Sequence, residues 1–404
     1  MRVKKISLLG HKDHGKSTLI GSMLMQTGAA TKVRIEEAKK YSEKKGKTFE
    51  PAFILDSFAE EREREMTYDT TRAQIKYKNN AFEFIDVPGH EELIKNMISG
   101  ASYGDIALLL VSALPEEGIR DQTKRHVFLA QMLGMNRLIV AVNKMDKIGY
   151  NEERFAKIKE DLTHFLKKIN FNTNNVKFVP ISAYKGENLT TKSRNIRWYA
   201  GKCLADLLCE DVKEGRKGEK LRILVQGIIG VGKDSYIAGK VVSGKINSGE
   251  RVKIFPSGRE CEASILMVKN KKAKSAKAGE NIAIKASPRI ANEAKGSIIL
   301  PKSEKITPIK EVRSLIFIIR KPETWKTANI YGNKVGCEIK ISKVVEASSG
   351  DVLPGSSFSP LNAAHSIIKL ERPMLIEDYN ENKELGRFVL SDSKGFFGIG
   401  ISEG

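Results

Sequence analysis

The chain has 404 residues, and its 69 basic and 49 acidic residues give a formal net charge of +20, which favours a polyanionic partner, nucleic acid first. Because 41% of the residues are hydrophobic and 29% are charged, a wholly disordered chain is excluded and about two to four folded domains are expected. The chain has four cysteines and no C-x-x-C pair, which argues against a disulfide framework or a zinc site. No apolar run is long enough to cross a membrane, so we expect a cytoplasmic protein.

Apolar runs of strand length alternate with longer segments of helical spacing over about the first 210 residues. Such alternation predicts a parallel sheet with helices on both faces, and the ligands of such sheets lie at the carboxyl ends of the strands. The predicted strands are 6–10, 82–87, 106–111, 138–143 and 176–182, and the predicted helices include 91–100, 122–133 and 152–168.

The polar, glycine-bearing segment 211–220 reads as a linker, and the sequence beyond it consists of short β-rich runs separated by glycine turns. A second boundary falls near 301–305. The predicted fold is therefore an α/β protein in which a doubly wound domain precedes two small β-barrels. We expect the three domains to span 1–212, 219–301 and 305–404. The densest basic run, KNKKAKSAK, lies at 269–277.

The stretch GHKDHGKS fits the phosphate-loop pattern G-x-x-x-x-G-K-[ST] and follows directly after the first predicted strand. Gly10 and Gly15 let the backbone curl so that its N–H groups point at phosphate oxygens. Lys16 would neutralise the β- and γ-phosphates, the Ser17 hydroxyl would coordinate Mg²⁺, and Thr18 would lie near the α-phosphate. The alternative is an ordinary glycine-containing turn, but the position between a strand and a helix favours a P-loop.

Four polar residues occupy the outer bend of this loop, namely His11, Lys12, Asp13 and His14. They cannot form a metal cluster while the backbone wraps a phosphate, which excludes a zinc centre here. Asp13 and His14 are candidates for nucleotide binding. The alternative for His11, Lys12 and His14 is that their side chains are simply solvated.

IDVPGH, at 85–90, supplies a second element at the end of a predicted strand. Asp86 can hold Mg²⁺ through a water molecule. The backbone N–H of Gly89 can bond the γ-phosphate and so report whether that phosphate is present. A lone D-x-x-G is a weak signal, and its value comes from its order and distance after the phosphate loop.

VNKMD, at 142–146, predicts a guanine pocket. The Asp146 carboxylate can accept bonds from N1 and the exocyclic amine of guanine, whereas adenine would leave that carboxylate unpaired. Asn143 would brace the loop, and the aliphatic part of Lys144 would cover the base.

PISAY, at 180–184, would complete the pocket, with Ser182, Ala183 and Tyr184 close to the base and the Ala183 N–H facing guanine O6. These four elements occur in the correct order, each at a strand's carboxyl end. The sequence therefore predicts a P-loop GTPase domain that binds GTP or GDP with Mg²⁺.

At these motifs the chain resembles translational GTPases, most closely the elongation factor 1-alpha and elongation factor Tu branch. The resemblance extends over nearly the whole chain and is weakest at about 305–350. It is carried by GHKDHGKSTL (10–19), LDSFAEEREREMTYDTT (55–71), DVPGHEELIKNMISGAS (86–102), DQTKRHVFLAQMLGMNRLIVAVNKMD (121–146) and NIRWYAGKCLADLL (195–208).

The resemblance implies roles that the motifs alone do not give. Thr67 would be the switch-one threonine that meets Mg²⁺ and the γ-phosphate, and His90 would orient the attacking water, although a histidine there could equally cap a helix. Asp13 would help to hold a monovalent cation. The implied catalytic residues are His90, Lys16 and Thr67, and the implied metal ligands are Ser17, Thr67 and Asp86.

Three departures from the family pattern are visible. Glu65-Met66-Thr67 stands where the family usually has Gly-Ile-Thr, which removes a hinge and adds negative charge near the triphosphate. Lys12 replaces a valine. KDSYIAGKV, at 233–241, replaces a Gly-x-Gly-Thr-Val run, so the site that would cradle an aminoacyl end is expected to differ.

The resemblance leaves three functions open. The first is a GTP-hydrolysing translation factor that delivers aminoacyl-tRNA to the ribosome, with tRNA, the ribosome and a nucleotide-exchange factor as partners; the net charge supports it, unless the lysines merely form a solvated surface. The second is the GTPase subunit of a sulfate adenylyltransferase, whose partner would be a sulfate-activating catalytic subunit. The third is a GTP-dependent binding paralogue with weak hydrolysis.

Overall fold

The structure is a computed structural model that describes residues 3–44, 46, 48–55, 72–86, 106–135, 137–210, 220–231, 234–269, 271–288, 295–323, 326–355 and 360–403. The chain divides into two units, Met1–Val212 with Glu346–Asp351, and Lys213–Val345 with Val352–Gly404. The boundaries of the three predicted domains stay a prediction.

The first unit contains a six-stranded sheet whose strands β1 to β6 follow the order β2-β3-β1-β4-β5-β6. All neighbours are parallel except β2 and β3. This arrangement confirms the predicted parallel sheet. The strands are β1 (Val3–Leu9), β2 (Arg72–Tyr77), β3 (Asn80–Asp86), β4 (Ile106–Ser112), β5 (Leu138–Asn143) and β6 (Val176–Pro180).

The central strands of this sheet are apolar because both of their faces are covered. Every residue of β4, with the sequence IALLLVS, is buried, as is every residue of β5, with the sequence LIVAVN. Continuous apolar runs of this kind are typical of strands in parallel sheets that are covered on both faces. The polar residues that follow each strand therefore collect at the carboxyl edge, which is where the predicted motifs lie.

Five helices of the first unit lie within the described residues. The longest, α4, shows why the sequence forms a helix: Asn151 Oδ1 accepts a hydrogen bond from Arg154 N at 2.7 Å, and the buried positions Phe155, Ile158 and Leu162 recur at helical spacing. The helices are α1 (Lys16–Gln26), α2 (Lys32–Lys44), α3 (Asp121–Met132), α4 (Glu152–Lys168) and α5 (Leu204–Cys209). The predicted helix at 91–100 lies outside the described residues.

In the second unit, strands β7 to β15 build the first barrel. Six of them form a ring, β10-β15-β7-β8-β14-β11, which closes because β11 also pairs with β10. The core follows from simple alternation, as in β14, where Ile282, Ile284 and Ala286 are buried and their neighbours are not. The strands are β7 (Arg222–Val231), β8 (Asp234–Ser243), β9 (Lys245–Asn247), β10 (Arg251–Phe255), β11 (Glu260–Val268), β12 (Lys271–Lys272), β13 (Ser275–Lys277), β14 (Asn281–Ser287) and β15 (Ile298–Pro301).

Strands β16 to β22 build the second barrel. Its ring, β17-β21-β22-β16-β20-β18, closes through the pairing of β18 with β17. Both predicted barrels are thereby confirmed. The strands are β16 (Ile309–Ile318), β17 (Thr327–Ile330), β18 (Asn333–Val345), β19 (Val352–Leu353), β20 (Asn362–Met374), β21 (Arg387–Asp392) and β22 (Gly395–Ser402).

Candidate nucleotide-binding site

The phosphate loop leaves the end of β1 through two positions that only glycine fits. Gly10 has a φ of +133°, and a Cβ there would lie 2.5 Å from the carbonyl oxygen of Leu110 on β4. Gly15 has a φ of +87°, and a Cβ there would lie 2.6 Å from Nδ2 of Asn143. The two glycines therefore allow the loop to turn tightly against the neighbouring strands.

Lys16 is the first residue of α1, and its side chain folds back over the loop. Its Nζ donates to the carbonyl oxygens of Gly10 at 3.2 Å and His11 at 3.3 Å, and the residue is only 7% exposed. Ser17 is exposed and Thr18 half-buried in the same first turn. A cation and a helix N-terminus that converge on one loop are suited to a polyphosphate.

His14 is fully buried beneath this loop, so the solvated alternative does not hold for it. Its Nδ1 lies 2.9 Å from the carbonyl oxygen of Leu110, and since that oxygen can only accept, Nδ1 carries the hydrogen. Burial lowers the pKa of His14 to about 4, which keeps the imidazole neutral at neutral pH. By contrast, Asp13 is exposed and His11 is half-buried.

Asn143, at the end of β5, joins two loops. Its Nδ2 donates to the carbonyl oxygen of His14 at 2.8 Å, and its Oδ1 accepts from the backbone N–H of Ala183 at 2.8 Å. The side chain is buried, so neither bond competes with bulk water. Asn143 thus ties the phosphate loop to the 182–184 loop, and the two ends of the site are held in one geometry.

The carboxylate of Asp146 lies beside the 182–184 loop. Its Oδ1 accepts a hydrogen bond from the hydroxyl of Ser182 at 2.6 Å, and Ser182 is fully buried. Ala183 is buried, whereas Tyr184 is 42% exposed. The carboxylate is therefore held beside the 182–184 loop, whose Ala183 N–H donates to Asn143 Oδ1.

Glu117 is a residue that the sequence analysis missed. It accepts hydrogen bonds from Nζ of Lys144 at 2.7 and 2.6 Å, one to each carboxylate oxygen. Burial raises the pKa of Glu117, but hydrogen bonds from Lys144 and Ser112 outweigh this effect and hold it below its ordinary value. The sequence did contain a signal for Glu117: it belongs to PEEG, which follows β4 at the same carboxyl edge of the sheet as the recognised motifs.

The remaining predicted residues are described only in part or not at all. Asp86 is the last residue of β3 and pairs with Leu8 on the neighbouring strand β1. Because Leu8 lies two residues before Gly10, the backbone of Asp86 lies beside the phosphate loop. The side chain of Asp86 is outside the described part. Thr67, Gly89 and His90 also lie outside the described residues.

In the described residues no group of three or more His, Cys, Asp and Glu side chains could enclose a metal ion. Mg²⁺ needs no such enclosure, because it usually keeps several waters and binds substrate phosphates through one or two protein ligands. The exposed Ser17 hydroxyl at the start of α1 fits that chemistry. No helix among the described residues is long and apolar enough to cross a membrane.

Comparison with known proteins assigns the chain to a family. Residues 1–227 match the family described as the elongation factor Tu GTP binding domain. The chain belongs to the elongation factor Tu and elongation factor 1-alpha branch of translational GTPases. Members of this branch hydrolyse GTP, and this GTPase therefore binds GTP and GDP and converts the first into the second and phosphate.

Relatives match this GTPase over nearly its whole length. The elongation factor 1-alpha of Thermoplasma acidophilum is 34% identical over 398 residues, which cover 95% of this chain and 93% of the relative. That of Saccharolobus solfataricus is 33% identical over 414 residues, covering 98% and 95%. That of Natronomonas pharaonis is 32% identical over 402 residues, covering 96% and 94%. These matches do not favour the sulfate adenylyltransferase alternative.

Proposed function

We propose that this GTPase delivers aminoacyl-tRNA to the ribosome in the cytoplasm. The observation that carries the proposal is the match to proteins named elongation factor 1-alpha, which extends beyond the GTPase domain through both barrels. The net charge of +20 supports an RNA partner, because phosphate contacts supply much of the affinity in such complexes. A nucleotide-exchange factor is a further expected partner.

The proposed nucleotide contacts follow the geometry of the three loops. The curled backbone between Gly10 and Gly15 and the ammonium of Lys16 would bind the phosphates. Asp146 would accept the two donors of the guanine edge, on a loop that is held in place by the bond from the Ala183 N–H to Asn143 Oδ1. Because Asn143 bonds to both loops, base and phosphates would be positioned by one connected set of hydrogen bonds.

Mg²⁺ is proposed as the metal ion of the site, held by the Ser17 hydroxyl together with Thr67 and Asp86. When bound, it neutralises charge on the phosphate oxygens during transfer. Lys16, which is already held over the loop by two carbonyl oxygens, would share that charge.

His90 is proposed to orient the water that attacks the γ-phosphate. A neutral imidazole can hold a water molecule in line without removing its proton beforehand. Thr67 and Gly89 would contact the γ-phosphate, so that its loss would release their loops. These three residues would therefore link hydrolysis to the release of the RNA.

Single-turnover GTP hydrolysis, measured with and without ribosomes, tests the proposal. We expect ribosomes to stimulate hydrolysis and His90→Ala to slow it by about 100-fold or more, with little change in GTP affinity. His164→Ala is the matched control, because His164 is an exposed histidine of α4, a helix that supplies none of the proposed nucleotide contacts. An equal rate for His90→Ala and the unaltered GTPase would defeat the assignment of His90.

Protection of the aminoacyl ester tests the delivery step itself. In the GTP-bound state the protein should slow spontaneous hydrolysis of aminoacyl-tRNA, whereas the GDP-bound state should not. Absence of protection in both states would remove aminoacyl-tRNA from the proposal, whatever the rate of GTP hydrolysis.

A further inference from the structure

A group of exposed lysines lies on and next to the short strands β9, β12 and β13 of the first barrel. We call this group the lysine ribbon; its side chains are all exposed, and five of them belong to the run KNKKAKSAK. No acidic residue interrupts that run. The lysine ribbon consists of Lys245, Lys269, Lys271, Lys272, Lys274 and Lys277.

The backbone beneath the lysine ribbon is an ordered two-stranded element. Strands β9 and β13 pair antiparallel, with Ile246 opposite Ala276 on the buried face and Lys245 opposite Lys277 on the exposed face. The chain is fastened on both sides, because Ser248 N donates to Lys274 O at 3.0 Å and Ala278 N donates to Gly244 O at 3.0 Å. Lys245 and Lys277 are therefore displayed on a strand pair with an apolar underside and not on a free tail.

This arrangement costs free energy in the isolated protein. Like charges directly opposite one another on a strand pair destabilise it, and Lys245 and Lys277 stand in that relation. Within the described part of the chain, neither side-chain ammonium group forms an ion pair with a carboxylate. The nearest glutamates in sequence, Glu250 and Glu280, accept hydrogen bonds from the backbone N–H groups of Asn247 at 2.9 Å and Lys277 at 2.8 Å.

Three lysines elsewhere on the same barrel are arranged differently. Lys240, Lys285 and Lys302 each form an ion pair, at 3.2, 2.8 and 2.5 Å respectively. Carboxylates neutralise these three lysines, whereas among the described residues no lysine of the lysine ribbon forms an ion pair. A local excess of positive charge that the protein's own carboxylates do not neutralise can bind an external anion.

We propose that the lysine ribbon binds the phosphodiester backbone of RNA, an inference that rests on the proposed function for the identity of that RNA. The residues of the ribbon favour backbone contact over base recognition: β9, β13 and the run 269–277 contain no aromatic side chain for stacking and no arginine for bidentate pairing. The contact is therefore independent of base sequence and sensitive to salt.

The test compares two variants that lose the same charge. The ribbon variant carries Lys245→Gln, Lys274→Gln and Lys277→Gln. The control carries Lys159→Gln, Lys167→Gln and Lys177→Gln, which are exposed lysines of the GTPase domain. Affinity is measured for aminoacyl-tRNA and for ribosomes over a series of salt concentrations, with GDP affinity and thermal unfolding as checks on integrity.

We expect the ribbon variant to bind one of these RNAs at least about tenfold more weakly at physiological salt, with the slope of log affinity against log salt reduced by about 2–3. The control should keep the slope of the unaltered protein. The ribbon variant should unfold at the same or a slightly higher temperature, because it removes the repulsion between Lys245 and Lys277. A loss with aminoacyl-tRNA alone, or with ribosomes alone, supports the proposal and identifies which RNA the surface contacts.

Unchanged slopes for both RNAs, or equal losses in the two variants, would overturn the lysine ribbon as an RNA surface. The outcomes separate this inference from the proposed function. If the unaltered protein binds RNA and the ribbon variant binds equally well, only the ribbon fails. If RNA binding depends on these lysines but ribosomes do not stimulate GTP hydrolysis, the proposed delivery function is wrong and RNA binding by the lysine ribbon is supported. If no RNA is bound at all, both fail.

Discussion

Lys144 and Glu117 form an ion pair that joins the loop after β5 to the loop after β4, with both carboxylate oxygens within 2.7 Å of Nζ. The two side chains are 24% and 20% exposed, so water screens the pair only in part. Lys144 adopts a left-handed backbone conformation, with a φ of +65°. The charged end of the lysine whose stem is predicted to cover the base is thus anchored by a residue outside the four recognised motifs.

Glu117→Gln should weaken nucleotide binding by freeing this lysine. We expect GDP to dissociate about 5- to 10-fold faster, because a charge-assisted bond that holds Lys144 in place is replaced by a neutral one. Stopped-flow release of a fluorescent GDP analogue measures the rate. Glu116→Gln, at the exposed neighbouring position, is the control and should leave the rate unchanged. Identical rates in all three proteins would show that Glu117 has no positioning role.

Gly10→Ala should destabilise the GTPase domain and abolish tight nucleotide binding. The added Cβ would meet the Leu110 carbonyl oxygen at 2.5 Å, in a backbone conformation that L residues rarely adopt. We expect a loss of about 2–4 kcal/mol in the free energy of unfolding, measured by urea denaturation.

Gly28→Ala provides the comparison for this substitution. Gly28 also has a positive φ, of +71°, but a Cβ there would have nothing within 4 Å. It should cost only about 1 kcal/mol and leave GDP affinity intact. Equal losses at the two positions would mean that the close approach of the phosphate loop to β4 is unimportant.

Asp146→Asn should change the base preference of the site. An amide can accept from N1–H of xanthine and donate to its C2 oxygen, but it cannot accept both donors of guanine. We expect GTP affinity to fall by at least about tenfold while xanthosine triphosphate becomes the better ligand, as measured by competition binding. Asp161→Asn, on the exposed face of α4, is the control. Unaltered preference for guanine in Asp146→Asn would contradict the proposed pocket.

The second barrel should lose stability in acid through Asp392. Hydrogen bonds from Arg320, at 2.6 and 2.8 Å, lower the pKa of this buried carboxyl, and the backbone N–H groups of Glu323 and Lys394 add to the effect at 2.8 and 2.9 Å. Because the pKa in the folded state lies below the ordinary value of 3.8, the stabilisation is complete above that value and is lost as the pH falls through the folded pKa.

Asp392→Asn should therefore be less stable than the unaltered protein by about 1–3 kcal/mol at neutral pH, and the difference should shrink below about pH 4. Urea unfolding followed by far-ultraviolet circular dichroism at several pH values measures both effects. Glu381→Gln, at an exposed carboxylate of the same unit, is the control. A difference that stays constant with pH would rule out the carboxylate of Asp392 as its source.

Much of the GTPase domain is predictable from sequence because each strand is encoded by a local pattern. The apolar runs of β4 and β5 identify buried parallel strands, and the phosphate-loop motif lies between β1 and α1, where it was expected. The predicted helix 152–168 coincides with α4, since its cap and its apolar spacing are both local signals.

Contacts between distant segments could not be predicted in the same way. His14 bonds to Leu110, which lies within β4, and Lys144 is anchored by Glu117, which follows β4. No local rule pairs these two partners with the phosphate loop or with the loop after β5. Barrel closure is a similar case. The pairing of β7 with β15 joins residues far apart in the chain, and alternation within a strand specifies its faces but not its neighbour.

Ring closure also bears on self-association. A strand with open hydrogen-bonding groups can recruit a second molecule edge to edge, and each barrel has no such strand within its ring. Among the described residues, the strands beside the first ring are the short pair β9 and β13 and the two-residue strand β12, which consists of Lys271 and Lys272. Two adjacent ammonium groups repel an identical approaching edge, so crowded copies of this barrel are protected from fibrillar stacking by the same residues that make its surface basic.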